Sequence, residues 1–431
     1  MGIVFHARVR RARTTNGRST RGLSTSIHDS SLLSRTSTRA APARGRRDAM
    51  PWASEPLPHL RDGYDPCTFA PWDGARAVVR ASAWVDVFRR STTSFEVRAS
   101  GDARAFADDG EREERARGFG RAFEDVLRAV ELGDDAEAEK ACREASGTEW
   151  PAAWRGANCL ELCRARDGLL RSHGFADVFE QVKREENETA MRAVLGVFAR
   201  CDAVEDDDAR LLELVRGAFA GNIFDLGAAA STELFENGGV NFARTVETLR
   251  PRPWCVDDFD ALRARFREVR HKKAIVFVDN AGADVCLGMI PFVRELLRRG
   301  TEVVLAANET PSINDVTARE LREHVFPLLI KQDDETLCEA IARGRLRVVS
   351  SGSDMPVIDL RYLSPEICAE AKDADLLVLE GMGRGIETNL FAQFTIDCLK
   401  LAMIKHEEVA TLLKGNLYDC VCKFDVGSGA T

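Results

Sequence analysis

Two apolar runs in this chain stop abruptly at oxygen-bearing side chains. The first reads K-K-A-I-V-F-V-D-N-A-G-A-D over residues 272–284, and its apolar core, Ala274–Val278, ends at Asp279-Asn280. The second, Val303–Ala307, ends at Asn308 in A-A-N-E-T-P-S-I-N-D, with Asp315 a few residues on. Carboxylate and amide oxygens without a neighbouring His or Cys cluster suit a hard divalent ion such as Mg²⁺ or Mn²⁺. Asp279 and Asp315 would serve equally well as caps of the helices that follow them. Asp284, in the same loop, reads as an acid in the first turn of a helix.

These residues need elements to hold them. Four buried strands are expected at Ala274–Val278, Val303–Ala307, Arg347–Ser350 and Leu376–Leu379, each too continuously apolar to have a wet face. Helices are expected between them, among them Phe292–Arg299, which Gly300 stops, and Pro365–Lys372. Right-handed crossovers make such strands a parallel sheet with one functional edge. Asp279-Asn280, Asn308, Ser351-Gly352 and Glu380-Gly381 share that edge, where parallel α/β sheets bind ligands. The run Glu380-Gly381-Met382-Gly383-Arg384 is a Gly-rich loop whose backbone N–H groups can approach a phosphate, with Arg384 as the charged contact. It lacks the third Gly of a dinucleotide fingerprint at the required place.

Upstream the pattern is helical from Glu111 to about Arg216. Ala122-Phe123, Val126-Leu127 and Val130 fall at three- and four-residue spacing, and acid-rich turns separate the helices. Pro251-Arg252-Pro253-Trp254 breaks the chain before the β/α alternation begins. The expected fold class is α/β. An N-terminal helical bundle or cap over residues 50–250 precedes a Rossmann-like α/β/α domain with a mainly parallel sheet over residues 251–431.

The order of motifs adds to this. F-V-D-N-A-G-A-D, A-A-N-E-T-P-S-I-N-D-V-T, V-L-E-G-M-G-R-G-I-E-T-N and M-I-K-H follow one another, and the series resembles the damage-control phosphatase family. The E-G-M-G-R run resembles the mark of its second subfamily, which includes plant stand-alone members and the phosphatase domain of pantothenate kinase 4. The resemblance covers about residues 62–424. It implies a metal-dependent phosphatase in which Asp279, Asn280 and Asp315 hold a divalent ion (Mn²⁺, Co²⁺, Ni²⁺ or Mg²⁺), with Asp279 and Asp315 also catalytic. Such an ion neutralises phosphoryl charge and lowers the pKa of a bound water. Lys405, expected on a C-terminal helix, aligns with a phosphate-contacting Lys, although Met403-Ile404 replace part of the related R-T-x-K motif. Asn308, Ser351, Gly352, Glu380, Gly381, Met382, Gly383 and Arg384 are expected to bind substrate or phosphate. Gly221-Asn222-Ile223-Phe224-Asp225 resembles a block at the mouth of the family's site, where Asn222 and Asp225 would order the metal shell. It reads equally as a capped turn between helices. Lys183 and Glu186-Asn187 resemble a block on a cap helix. The implied substrates are small phosphorylated metabolites, 4′-phosphopantetheine and its oxidised or damaged forms first, sugar phosphates second. The alternatives are an S-adenosylmethionine-dependent carboxyl methyltransferase, with Glu309 a weak candidate for its adenosine-binding acid, and a non-catalytic metabolite-binding module.

Composition narrows the classes further. The 431 residues are 45% hydrophobic with a formal net charge of −9, which argues against nucleic acid as a partner, and no run is long enough to suggest a membrane helix. Residues 1–49 carry eleven Arg against Asp29 and Asp48, a net of +9, so the remainder carries −9 − 9 = −18. An Arg-, Ser- and Thr-rich, acid-poor N-terminus has the composition of a disordered organelle transit peptide, which implies a chloroplast or mitochondrion; translation from Met50 would imply the cytoplasm. The twelve Cys show no metal spacing and read as buried thiols. Nothing in the sequence specifies an oligomeric state.

Overall fold

A computed structural model describes residues 54–66, 81–149, 156–223 and 240–429, together with Asp48–Ala49 and Trp154. The expectations for Asp225 and, beyond Asp48–Ala49, for residues 1–49 lie outside the described residues.

The centre is a seven-stranded sheet: β1 (Val256–Asp257), β2 (Lys273–Phe277), β3 (Glu302–Ala307), β4 (Leu346–Ser350), β5 (Leu376–Glu380), β6 (Asp397–Met403) and β7 (Cys420–Asp425). Their spatial order is β1-β7-β6-β5-β2-β3-β4. All neighbours run parallel except the β6–β7 pair. The four expected strands are present, with ends moved by a residue at most; β1, β6 and β7 were not anticipated.

The central strands are apolar throughout because both faces are covered. On β2, Ala274 and Val276 pack into one cluster while Ile275 and Phe277 pack into another on the opposite face. Val303 and Leu305 of β3 and Leu376 and Val378 of β5 join the first cluster; Val304, Leu377 and Leu379 join the second. The period of two in the pleat sorts the side chains between the two layers.

The helices that precede the sheet are α1 (Ala81–Gly101), α2 (Asp109–Glu131), α3 (Asp135–Ser146), α4 (Cys159–Ser172), α5 (Glu180–Asp202) and α6 (Asp207–Ile223). Asp108, Asp134 and Asn158 cap α2, α3 and α4 with their side-chain oxygens. On α2, Phe119, Phe123, Val126, Leu127 and Val130 face inward at helical spacing. Helices α1–α4 share a core with Met382, Ile386 and Ile404, beyond the ends of β5 and β6. In contrast, α5 and α6 pack on the sheet itself through Met191, Val194, Phe198, Val215 and Phe219. Among the described residues no helix is long and apolar enough to cross a membrane.

The connections decide where a ligand can sit. From β2 the chain steps through β3 to β4 on one side, then returns to place β5 on the other side of β2. Strand order therefore reverses between β2 and β5, and the crevice beyond their carboxyl ends is the switch point of the sheet.

Candidate active site

Asp279 follows β2 and Glu380 ends β5, so the two acids face each other across that switch point. The backbone N–H of Asp279 donates to Glu380 Oε2 at 2.9 Å. Asp284 stands at the start of the helix after β2. Carboxylate oxygens of Asp279, Asp284 and Glu380 all lie within 4.8 Å of one another, and all three residues are buried. Asn222, in the last turn of α6, reaches all three: its Nδ2 lies 2.9 Å from Asp284 Oδ2, 3.1 Å from Glu380 Oε1 and 3.3 Å from Asp279 Oδ2. Asn280 Nδ2 donates to Asp279 at 2.9 Å and to Asp284 at 2.8 Å.

This grouping has electrostatic consequences. Burial, and then the Asp315 and Asp284 carboxylates, push the Asp279 carboxyl well above the ordinary range, against the pull of Arg384 and Lys405. Burial, followed by Asp284 and Asp279, does the same to Glu380. Charged oxygens crowded in low dielectric need a counter-charge. Asn280 Oδ1 is also buried and accepts no hydrogen bond from the described residues. Carboxylates this close form a hard-oxygen donor set that fits a divalent cation; Asn280 turns its amide nitrogen to them.

Asp315 lies on the other side of Asp279. Arg384 links them, with Nη1 on Asp279 Oδ1 and Nη2 on Asp315 Oδ2, the latter at 2.6 Å. The same Nη2 donates to Asn308 Oδ1 at 3.0 Å, and Asn308 Nδ2 donates to Asp315 at 3.0 Å. Burial works against the Arg384 charge, but Asp315 and Asp279 more than offset it and raise its pKa. Gly381 makes the close approach feasible: its φ is +95°, and a Cβ there would sit 2.2 Å from Asp279 Cγ.

Helix α5 clamps both loops. Buried Lys183 pairs with Asp177 at 2.9 Å and Glu320 at 2.7 Å, and its Nζ also donates to the carbonyl of Asp315 at 3.3 Å. Four residues on, Asn187 Oδ1 accepts the N–H of Gly282 at 2.7 Å. One helix face thus fixes the Asp315 loop and the Asp279 loop together.

Over this centre lies a cleft of about 820 Å³. Asp279, Met382, Gly383 and Lys405 line it, and α1 forms a wall through Trp84, Phe88, Ser91, Phe95 and Arg98, which share one helix face. Arg166 of α4 joins them; its guanidinium lies 4.7 Å from the Phe95 ring centre and 5.7 Å from that of Phe88. A cleft of mixed charge, lined by aromatic rings with Arg90, Arg98, Arg166 and Lys405 as well as Glu387, Glu407 and Glu408, leaves room for a substrate with an organic body, and the acid centre at its foot suits a metal-bridged anionic group.

The damage-control phosphatase ARMT1-like domain matches residues 94–421. The chain belongs to this family. It is 42% identical over 382 residues to the damage-control phosphatase At2g17340 of Arabidopsis thaliana, with 88% of this chain and 98% of that protein covered. It is 41% identical over 305 residues to pantothenate kinase 2 of the same plant, covering 64% of this chain and 34% of that longer protein. Against the 4′-phosphopantetheine phosphatase of Mus musculus it is 32% identical over 326 residues, 64% of this chain and 39% of the relative. This damage-control phosphatase is a phosphoric monoester hydrolase of a metal-dependent family.

Within the phosphatase, the residues singled out in the sequence fall into three places. Asp279, Asn280, Asp315, Asn308, Glu380, Gly381, Arg384 and Asn222 come together at the acid centre. Met382, Gly383 and Lys405 line the cleft. Ser351 and Gly352 are in neither group; their loop is spent on itself, Gly352 N–H donating to Ser350 Oγ at 3.1 Å and Ser353 N–H to Ser351 Oγ at 3.2 Å. Lys405 lies not on a helix but between β6 and the helix Glu407–Leu413, because the strand through Met403 was not foreseen. Arg384, expected to meet phosphate, is occupied by the two aspartates and Asn308. Sequence reasoning left Asp284 as a helix acid; it begins its helix, and its carboxylate also turns into the acid cluster. The α1 wall and Arg166 were not singled out, although the Trp84, Phe88, Phe95 spacing signals a helix face.

Proposed function

We propose that this phosphatase hydrolyses 4′-phosphopantetheine and its oxidised or damaged forms, with sugar phosphates as a second substrate class. The observation that carries the reading is the length of the α1 wall. From Trp84 to Arg98 it runs for about 21 Å at 1.5 Å per residue, and it alternates aromatic faces with polar groups. An extended, partly polar pantetheine arm uses such a wall better than a compact sugar does. The name of the mouse relative points to the same substrate.

The residues divide the work. Asp279, Asp284 and Glu380, joined by Asn280 once its amide turns over to present Oδ1, would hold a divalent ion, chosen among Mg²⁺, Mn²⁺, Co²⁺ and Ni²⁺, with Asp315 completing the centre beside Asp279. When bound, the ion supplies charge neutralisation for the phosphoryl group and a lowered pKa for water. Lys405 adds a point charge for the phosphoryl oxygens from the cleft wall. Arg384 orients Asp279 and Asp315 so that their oxygens keep one geometry. The aromatic wall excludes water from the organic part of the substrate.

A hydrolysis screen of the purified protein tests this, run over the four metals with 4′-phosphopantetheine, its oxidised forms and a set of sugar phosphates. The expected result is the highest kcat/KM for a phosphopantetheine. A sugar phosphate preferred by tenfold or more would overturn the substrate assignment.

A further inference from the structure

Arg166 enters the cleft wall from α4 with most of its hydrogen-bonding capacity unspent. It is 5% exposed. Nε donates to Asp167 Oδ1 at 2.7 Å, the one hydrogen bond of the guanidinium among the described residues. Nη2 is buried without an acceptor among them, which leaves Nη1 to the cleft. The Phe88 and Phe95 rings lie against the guanidinium and offer it no lone pair. A buried cation with N–H groups to spare calls for an oxygen acceptor, and an anion answers best. The other arginines differ. Arg384 is taken up by Asp279, Asp315 and Asn308. Arg90 is exposed and pairs with Glu408 at 3.0 Å, and Arg98 is half-buried over the Phe179 ring, so water can reach both.

A second observation places the Arg166 charge at the acid end of the cleft. Asp167 Oδ2 accepts a hydrogen bond from Ser312 Oγ, and the carbonyl of Ser312 accepts the N–H of Asp315 at 3.1 Å. Asp167 therefore fixes the guanidinium and the Asp315 loop together. Burial works against the Arg166 charge, but Asp167 first, with Asp315 among the other groups, more than offsets it and raises the pKa.

We propose that Arg166 binds the phosphoryl group, Nη1 donating to an oxygen of the ester and, after cleavage, of inorganic phosphate; this rests on the phosphatase reaction and not on the choice of substrate. The guanidinium expected of Arg384 is spent inside the acid centre, and Arg166 supplies one from the cleft wall beside Lys405. Its ring contacts and its bond to Asp167 hold it in place before substrate arrives, so little side-chain freedom is lost on binding. Ester and product carry the same oxygens. Loss of the contact therefore falls on KM and on phosphate affinity alike.

The test uses inorganic phosphate as the probe, because it has no organic body. Its affinity is measured by calorimetry for the parent, Arg166→Met and Arg166→Lys, each loaded with the divalent ion the parent binds most tightly. Arg166→Met should weaken phosphate by about ten- to a hundredfold, the size of a charge-assisted hydrogen bond, with ion affinity unchanged. Arg166→Lys should recover part of the loss. Parent-like phosphate affinity in Arg166→Met would overturn the proposal. An equal loss of ion affinity would do so too, since it would make Arg166 a prop for the Asp315 loop. A loss confined to hydrolysis of 4′-phosphopantetheine, with phosphate affinity kept, would move Arg166 to the organic arm and reject the assignment. If Arg166→Met does not fold, a crystal structure of the ion-loaded parent with vanadate decides. An oxygen within hydrogen-bond distance of Arg166 Nη1 is expected, and vanadate bound out of its reach would overturn the inference. Failure of the parent to hydrolyse 4′-phosphopantetheine strikes the substrate assignment alone, because neither phosphate nor vanadate binding depends on it.

Discussion

The backbone N–H of Asp279 donates to the carboxylate of Glu380 at 2.9 Å, a bond between the ends of two adjacent parallel strands that are 101 residues apart. It ties the two sides of the switch point together. Because a main-chain donor holds it, Glu380 stays among acids that repel it. Asn222 then adds a donor from a third element. The acid centre is therefore assembled by the sheet and α6 together, which is why removing single members should have separable effects.

Asp284 should matter for metal affinity, not merely for the helix it begins. Asp284→Asn is expected to weaken divalent-ion binding by roughly 10–100-fold or more, measured by calorimetry. Asp279→Ala should abolish both binding and the metal-induced rise in melting temperature, since a ligand that binds only the folded state stabilises by about 2.7 kcal/mol at a hundred times its Kd. Unchanged affinity in Asp284→Asn would remove that residue from the binding set.

Arg384 is 1% exposed and spans two carboxylates. Arg384→Ala leaves both without their guanidinium partner, and breaking a buried pair in this way costs about 3–5 kcal/mol. A divalent ion should return part of that loss by supplying positive charge near Asp279. Urea denaturation with and without Mn²⁺ measures both quantities. A variant as stable as the parent in chelator would mean that the pairing contributes nothing.

Lys405→Ala should damage handling of phosphate while sparing the metal. A charge-assisted hydrogen bond is worth about 1.5–3 kcal/mol, or roughly ten- to a hundredfold in kcat/KM. Lys405→Arg should restore only part, because a planar fork meets phosphate differently. Wild-type efficiency in Lys405→Ala would make it a bystander in the cleft wall.

Acid stability should depend on Asp397 at the start of β6. Burial alone would raise its pKa, but His271 at 2.8 Å, Arg265 at 2.8 Å and the N–H of Gly427 at 2.9 Å outweigh burial and hold it at about 2, below 3.8. A depressed folded-state pKa gives stability that is present above the unfolded value and lost as pH falls through the folded one. The loss should therefore occur between about pH 4 and 2 and amount to about 2 kcal/mol. Asp397→Asn should flatten that part of the stability curve; an unaltered slope in the variant would show that other carboxylates govern acid unfolding.

The amino-acid sequence by itself determined the sheet's centre and its ligand edge. Ala274–Val278 and Leu376–Leu379 are unbroken apolar runs, and only a strand covered on both faces tolerates them. Polar residues directly after such runs must fall at the carboxyl edge, so Asp279, Asn280, Asn308 and Glu380 could be placed there from local pattern. The strand β6 was hidden for the converse reason. Asp397 and Lys400 interrupt its apolar pattern, yet both are buried, and their partners Arg265, His271 and Asp425 come from distant parts of the chain. Missing β6 is what misplaced Lys405 on a helix.

Tertiary structure alone decided which acids meet. Asp284 is a helix acid by local rules, and only the approach of α6 and β5 turns it into part of a cluster with Glu380 and Asn222. Arg384 follows a glycine loop and reads as a phosphate contact, but its guanidinium reaches Asp279 and Asp315 because Gly381 lets the loop lie against Asp279. Likewise the cleft exists only where α1 and α4 close over the sheet, bringing Trp84, Phe95 and Arg166 to a site whose acids lie well over a hundred residues later. Sequence periodicity reports which face of an element is buried. Which oxygen meets which cation is decided by long-range packing, since opposite charges are satisfied by proximity in space, and neighbours along the chain carry no record of that proximity.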